Sequence, residues 1–133
     1  MIIDGKEYVV NMNGKTLHCA MDISMDYVGG KWKTVVLWYL KKGKKRFGEL
    51  NRLIPQITEK MLSIQLKQLE KSGIVFRQAY PEVPMRVEYG LTPLGESLIP
   101  VLDAIAKWGR MMSESKGKIV EVGKEKARST KGR

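Results

Sequence analysis

The sequence predicts an α+β domain, mostly helical, and three features lead there. Apolar residues recur at helical spacing, most clearly from Trp32 to Leu40 and from Leu94 to Met112. Two short β-like runs, 74–80 and 86–91, flank the turn Pro81-Glu82-Val83-Pro84. The chain has 133 residues, 43% hydrophobic and 29% charged, which suits one folded domain with a core of its own.

The elements follow in order. Asn13-Gly14 sits between two short β-like runs and is a strong hairpin signal, because both central residues of such a turn take positive φ. Residues 1–18 are therefore expected to form an N-terminal arm with a candidate β-hairpin. Residues 20–28 read as a short helix ended by Gly29-Gly30. Trp32, Val35, Val36, Tyr39 and Leu40 then mark an amphipathic helix. Leu37 and Trp38 lie off that stripe, so burial over much of the circumference is expected. Lys41, Lys42 and Gly43 suit its C-terminal end, where cations meet the negative pole and glycine caps the turn.

A strand-like Lys45-Arg46-Phe47 precedes a shorter helix carrying Phe47, Leu50, Leu53 and Ile54, stopped by Pro55. Thr58 is a good N-cap for the next helix, with Glu59 in its positive first turn. That helix is expected over about 58–72, ending at Gly73. The two β-like runs return on each other as a hairpin over about 75–91. Thr92 and Pro93 open a last helix striped by Leu94, Leu98, Val101, Leu102, Ile105, Trp108 and Met112. Pro100 lies inside this stripe and is expected to kink the helix without ending it. From Ser113 the pattern fades. The expected division is thus an arm at 1–18, the domain at 19–112 and a basic flexible tail at 113–133.

Charge narrows the partners. Lys and Arg number 24 against 14 Asp and Glu, a net charge of +10. Residues 31–60 hold nine of the cations against Glu49 and Glu59 alone, and residues 116–133 hold seven against Glu121 and Glu125. Such an excess favours a polyanion, most often nucleic acid. No apolar run approaches the roughly 18 to 20 residues a membrane helix needs, and the first residues lack a basic leader with an apolar block. A cytoplasmic location is expected. Cys19 and His18 stand alone in their types. No metal site, no cofactor and no enzymatic activity are expected, since no paired carboxylates, Gly-rich phosphate loop or nucleophile–base couple can be placed.

Two helices joined by a short turn, followed by a hairpin, make the winged helix-turn-helix plan: a two-stranded wing, an added C-terminal dimerisation helix and the N-terminal arm. The helix from Thr58 tests it. At about 100° per residue, Leu62, Leu66 and Leu69 share one side. Lys60, Ile64, Lys67, Gln68 and Lys71 share the other, flanked by Met61 and Gln65. Cations suit phosphates, Gln can hold adenine, and Ile64 or Met61 can meet a thymine methyl. Any solvated face also carries Lys and Gln, but Ile64 at its centre argues for a contact. Lys45, Arg46, Arg77 and Arg86 are candidates for phosphate contacts that fix register. Arg77 has an alternative role as the cross-hairpin partner of Glu88.

These residues resemble the HxlR-type family of bacterial and archaeal transcriptional regulators. The matching segments are Gly29-Gly30-Lys31-Trp32, Arg46-Phe47-Gly48-Glu49-Leu50, Ile57-Thr58-Glu59-Lys60-Met61-Leu62 and Gln65 through Gly73. They continue through Tyr80-Pro81-Glu82-Val83-Pro84, Val87 through Gly95, and Trp108-Gly109. The likeness spans roughly Cys19 to Met112 in order and spacing. It implies a homodimeric regulator on palindromic double-stranded DNA, dimerising through the first and last helices. It also implies a sensing role for Cys19, since several relatives carry a cysteine just before the first helix that responds to quinones, aldehydes or oxidants. A lone cysteine is otherwise a small buried hydrophobe.

Leu98, Val101, Leu102, Ile105, Trp108 and Met112 form the expected dimer seam, with an effector pocket between subunits as the other reading of that stripe. The alternative function is a winged-helix module for protein or RNA without operator specificity. Which small-molecule effector it takes, if any, is not readable from the sequence.

Overall fold

The computed structural model describes residues 1–122. The arm is two small hairpins. β1 (Ile2–Ile3) pairs with β2 (Lys6–Glu7), and β3 (Val10–Met12) pairs with β4 (Lys15–Leu17). Asn13 and Gly14 turn the second with φ of 54° and 69°. The first hairpin repeats the device with Asp4-Gly5, a signal of the same kind that the sequence reading passed over.

α1 (Ala20–Val28) and α2 (Lys33–Leu40) follow. Val36, Leu37 and Leu40 of α2 are buried, and Trp32, Val35 and Tyr39 pack against the core from the flanks. The expected burial around most of α2 is present; Trp38 is the exposed exception. The helix closes at Lys41 rather than at Gly43.

β5 (Lys45–Arg46) leads into α3 (Phe47–Leu53), whose first turn is tightened by the Arg46 backbone N–H donating to the Glu49 carboxylate at 2.9 Å. α4 (Glu59–Lys71) begins at Thr58, whose hydroxyl accepts the Met61 N–H at 3.0 Å. Buried Asn51 donates from its amide toward the Ile57 carbonyl, tying α3 to the turn before α4. Leu62, Leu66 and Leu69 enter the core beside Leu37, Leu50 and Ile57.

β6 (Val75–Tyr80) and β7 (Arg86–Leu91) form the hairpin, and β5 pairs with the far side of β7. The sheet therefore has three strands in the order β5-β7-β6. The register sets Tyr89 opposite Arg77 and Gln78 opposite Glu88, so the Arg77–Glu88 cross-hairpin pair is not formed.

The last stripe is two helices, not one kinked rod. α5 (Pro93–Glu96) is capped by Thr92, and α6 runs from Ile99 to Lys116. Pro100 has no N–H to bond back into α5, so it occupies the first turn of a new helix, where that donor is not required. α6 continues past Ser113, where the apolar stripe fades, to Lys116; the stretch from residue 123 lies outside the described residues.

Candidate nucleic-acid interface

α4 offers one face to its own body and the other to solvent. Leu62, Leu66 and Leu69 are at most 2% exposed, whereas Lys60, Ile64, Lys67, Gln68 and Lys71 are exposed. The helix is held by its N-cap and its apolar side, which presents the opposite row outward. Met61 and Gln65 flank the row, half-buried, and the Gln65 amide N–H reaches the Met61 sulfur at 3.1 Å. Thr58 is exposed with its oxygen engaged as the helix cap.

One group at this face was missed by sequence reasoning. Lys33 of α2 donates to the side-chain oxygens of Gln65 at 2.9 Å and Gln68 at 2.5 Å. It therefore engages the oxygens of both amides, while the Gln65 N–H is directed to the Met61 sulfur. No local pattern signals a contact between residues more than thirty positions apart.

On the wing, Arg86 is engaged within its own hairpin. It stands over the Tyr80 ring at 3.8 Å and donates to Glu82 at 2.8 Å and Glu88 at 3.2 Å. Burial works against its charge, yet Glu82 first and Glu88 second raise its pKa above the ordinary value. Its cation is already balanced by two carboxylates, so it stiffens the wing. Lys44 completes this cluster, donating to the Tyr80 hydroxyl at 3.1 Å. Arg77 is exposed on β6. Arg46 is exposed and Lys45 half-buried where β5 meets α3. The wing tip exposes the apolar side chains Val83 and Met85.

The expected seam divides in two. Leu102 is 4% exposed and belongs to the protein's own core, with Leu98 packed against it. Val101, Ile105 and Trp108 face outward, and Met112 is half-buried. Trp38 of α2 is exposed beside them, and a shallow apolar groove of about 230 Å³ runs between it and Ile105. Lys41 and Asp103 form an ion pair across α2 and α6 at the edge of this face.

Cys19 is half-buried at the N-cap of α1, next to an exposed His18 whose ring nitrogen lies 3.1 Å from Asp22. Among the described residues no cluster of His, Cys, Asp and Glu is arranged to hold a metal ion. No helix among them is long and apolar enough to cross a membrane.

A three-stranded sheet carrying a hairpin wing, beside a helix with a cationic outward face, defines a winged helix-turn-helix protein of the DNA-binding class. The model of the family described as HxlR-like helix-turn-helix matches residues 27–117, and the chain belongs to that family of transcriptional regulators, which are not enzymes. It is 54% identical over 93 residues to an uncharacterized HTH-type transcriptional regulator of Methanothermobacter thermautotrophicus, covering 70% of this chain and 71% of that one. Among solved structures, the redox regulator HypR in its reduced form aligns with a TM-score of 0.69 at 40% identity, over 73% of this chain and 96% of that one. The reduced form of the regulator YodB from Bacillus subtilis aligns with a TM-score of 0.63 at 37% identity, over 73% and 96%.

Proposed function

We propose that the protein is a cytoplasmic, sequence-specific regulator that binds a palindromic operator as a homodimer, with α4 of each subunit in a major groove. The observation that carries this is the outward row of α4. Lys60, Lys67 and Lys71 supply phosphate contacts, while Ile64, Gln65 and Gln68 supply apolar and amide contacts to base edges. The half-buried Met61 adds a soft flank to the same row. Thr58, Lys45, Arg46 and Arg77 supply backbone contacts that fix register in this reading. Arg86, held by Glu82 and Glu88, adds a phosphate contact from the wing.

The dimer is supported by the outward apolar residues of α6, Val101, Ile105 and Trp108, continued by Trp38. A two-fold pairing of identical patches buries them once on each side. It predicts recognition helices about 34 Å apart, or a multiple of that.

The response to oxidants or electrophiles runs through Cys19. The one thiol of the sequence stands half-buried at the N-cap of α1. A lone cysteine has no disulfide partner in its own chain, so a disulfide would join it to a thiol of another molecule, with loss of two protons and two electrons to the oxidant. An electrophile such as a quinone would add to it directly.

Selection of bound duplex from a random pool, repeated after treatment with a quinone or diamide, tests all three parts. The expected result is a palindromic motif that weakens on treatment and persists in Cys19→Ser. A pool that stays random rejects operator recognition and favours the RNA- or protein-binding reading. A motif indifferent to treatment rejects the sensing role alone.

A further inference from the structure

We propose that the N-terminal arm is a further DNA-contacting element: its Asn13-Gly14 turn and α4 together form a cleft that seats a backbone phosphate beside the groove that α4 reads. The inference rests on the reading of α4 as a recognition helix. Its arm residues, Asn13 and Lys15, lie outside the family match, which begins at residue 27.

The arm is docked, not loose. Leu17 is buried, the N-terminal ammonium donates to the carbonyls of Tyr8 at 2.9 Å and His18 at 2.6 Å, and the hairpin turn is clasped to α1. The clasp is Asp26, which accepts from Lys15 at 2.6 Å and from the Asn13 amide at 3.1 Å. This places the turn opposite the C-terminal half of α4. Between them lies an open cleft of about 630 Å³, lined by Asn13, Lys15, Lys33, Gln68, Lys71 and Ser72.

Three ammonium groups line this cleft against the single carboxylate of Asp26, so its field favours an anion. Gln68 and Lys71 belong to the outward row of α4, so the cleft opens on the same side as that row. Lys33 spends two of its three N–H donors on Gln65 and Gln68, and the third is available to a phosphate oxygen. A phosphate on a duplex already gripped by α4 arrives at high effective concentration, which suits an open cleft better than a free anion would. The same Lys33 then joins the phosphate to the two base-reading amides, so that backbone and base contacts are made together.

The test uses the full chain and the duplex it selects. Asn13→Cys in a Cys19→Ser background is labelled with an iron–EDTA cleavage reagent. Strand cuts are expected at the margin of the protected site. Lys15→Ala removes one of the three cations that line the cleft and should flatten the dependence of log K on log salt by about 0.9. A protected site with no cuts from position 13 and an unchanged slope overturns the proposal while leaving α4 recognition standing. If inorganic phosphate shifts the Lys15 and Lys33 resonances of the free protein, yet Lys15→Ala leaves the duplex slope unchanged, the cleft belongs to a free phosphate and the proposal is likewise overturned. Loss of sequence-selective protection by the parent protein overturns both readings, and is recognisable because it appears before any variant is made.

Discussion

Gly95 shows how tightly one residue can be specified. The Thr92 hydroxyl accepts the Gly95 N–H at 3.1 Å and itself donates to the Gly73 carbonyl at 2.5 Å, which presses α5 onto the start of β6. A Cβ on Gly95 would stand 2.3 Å from the Ile74 carbonyl oxygen, a backbone atom that cannot swing away. Gly95→Ala should therefore destabilise the domain by about 1 to 3 kcal/mol, as overpacking does. Gly48, in α3, has only the end of Arg52 within reach, at 3.7 Å. Gly48→Ala should be neutral or stabilising by about 0.5 to 1 kcal/mol. Denaturant titration of both variants checks the contrast.

Asp26 makes the docking of the arm depend on pH. Its hydrogen bonds from Lys15 first and Asn13 second hold its carboxyl below the ordinary range, and the same contact raises Lys15 above its own. A depressed carboxyl stabilises the clasp above its unfolded value of about 3.9, and the contribution is lost as pH falls through the folded value. The raised Lys15 contributes fully below its unfolded value, and its part is lost only as alkaline pH passes the folded one. The amide resonances of Asn13 and Gly14 should accordingly hold their docked positions from neutral pH down to about 4 and move together below it. Asp26→Asn should shift them at neutral pH and abolish the acid step.

At the scale of elements, periodicity and caps made most of the domain legible. Thr58 before a leucine row specifies α4, and its hydroxyl does accept the Met61 N–H. Thr58→Ala should cost about 1 kcal/mol, read as a lowered unfolding midpoint with the fold unchanged. What the sequence left open were contacts between elements. The break at Pro100 depends on whether α5 must lie against Ile74, which a stripe of apolar residues does not reveal. Arg86 looks like any wing cation until Tyr80, Glu82 and Glu88 are seen around it. Lys33 joins the candidate DNA face only through tertiary packing of α2 on α4. The wheel of α4 identified the outward row because one helix carries its own geometry, whereas the cleft beside it needs the β3–β4 hairpin, α1, α2 and α4 at once.

At the scale of the whole molecule, the unanswered demand is the outward face of α6. Trp108 is 62% exposed and Ile105 48% exposed, while Leu102, one turn away, is in the core. A stripe meant only for one subunit would end with Leu98 and Leu102; its continuation argues for a second copy. Two half-sites held by one dimer bind as a bivalent unit, so losing the seam should weaken operator binding far more than it disturbs either domain. Ile105→Glu places a charge at a position already open in the single chain. It should leave helicity and the unfolding midpoint of the domain nearly intact, convert a two-chain species to one chain in sedimentation, and reduce operator affinity by 10²-fold or more, in the range linked sites provide. Leu102→Ala should do the reverse, removing about 2 to 5 kcal/mol of domain stability by opening a core cavity. Sedimentation of both variants beside the parent chain at micromolar concentration separates the two. A parent that runs as one chain while still protecting a palindrome would mean that the subunits meet only on DNA. An Ile105→Glu chain that stays paired would move the seam elsewhere on the molecule.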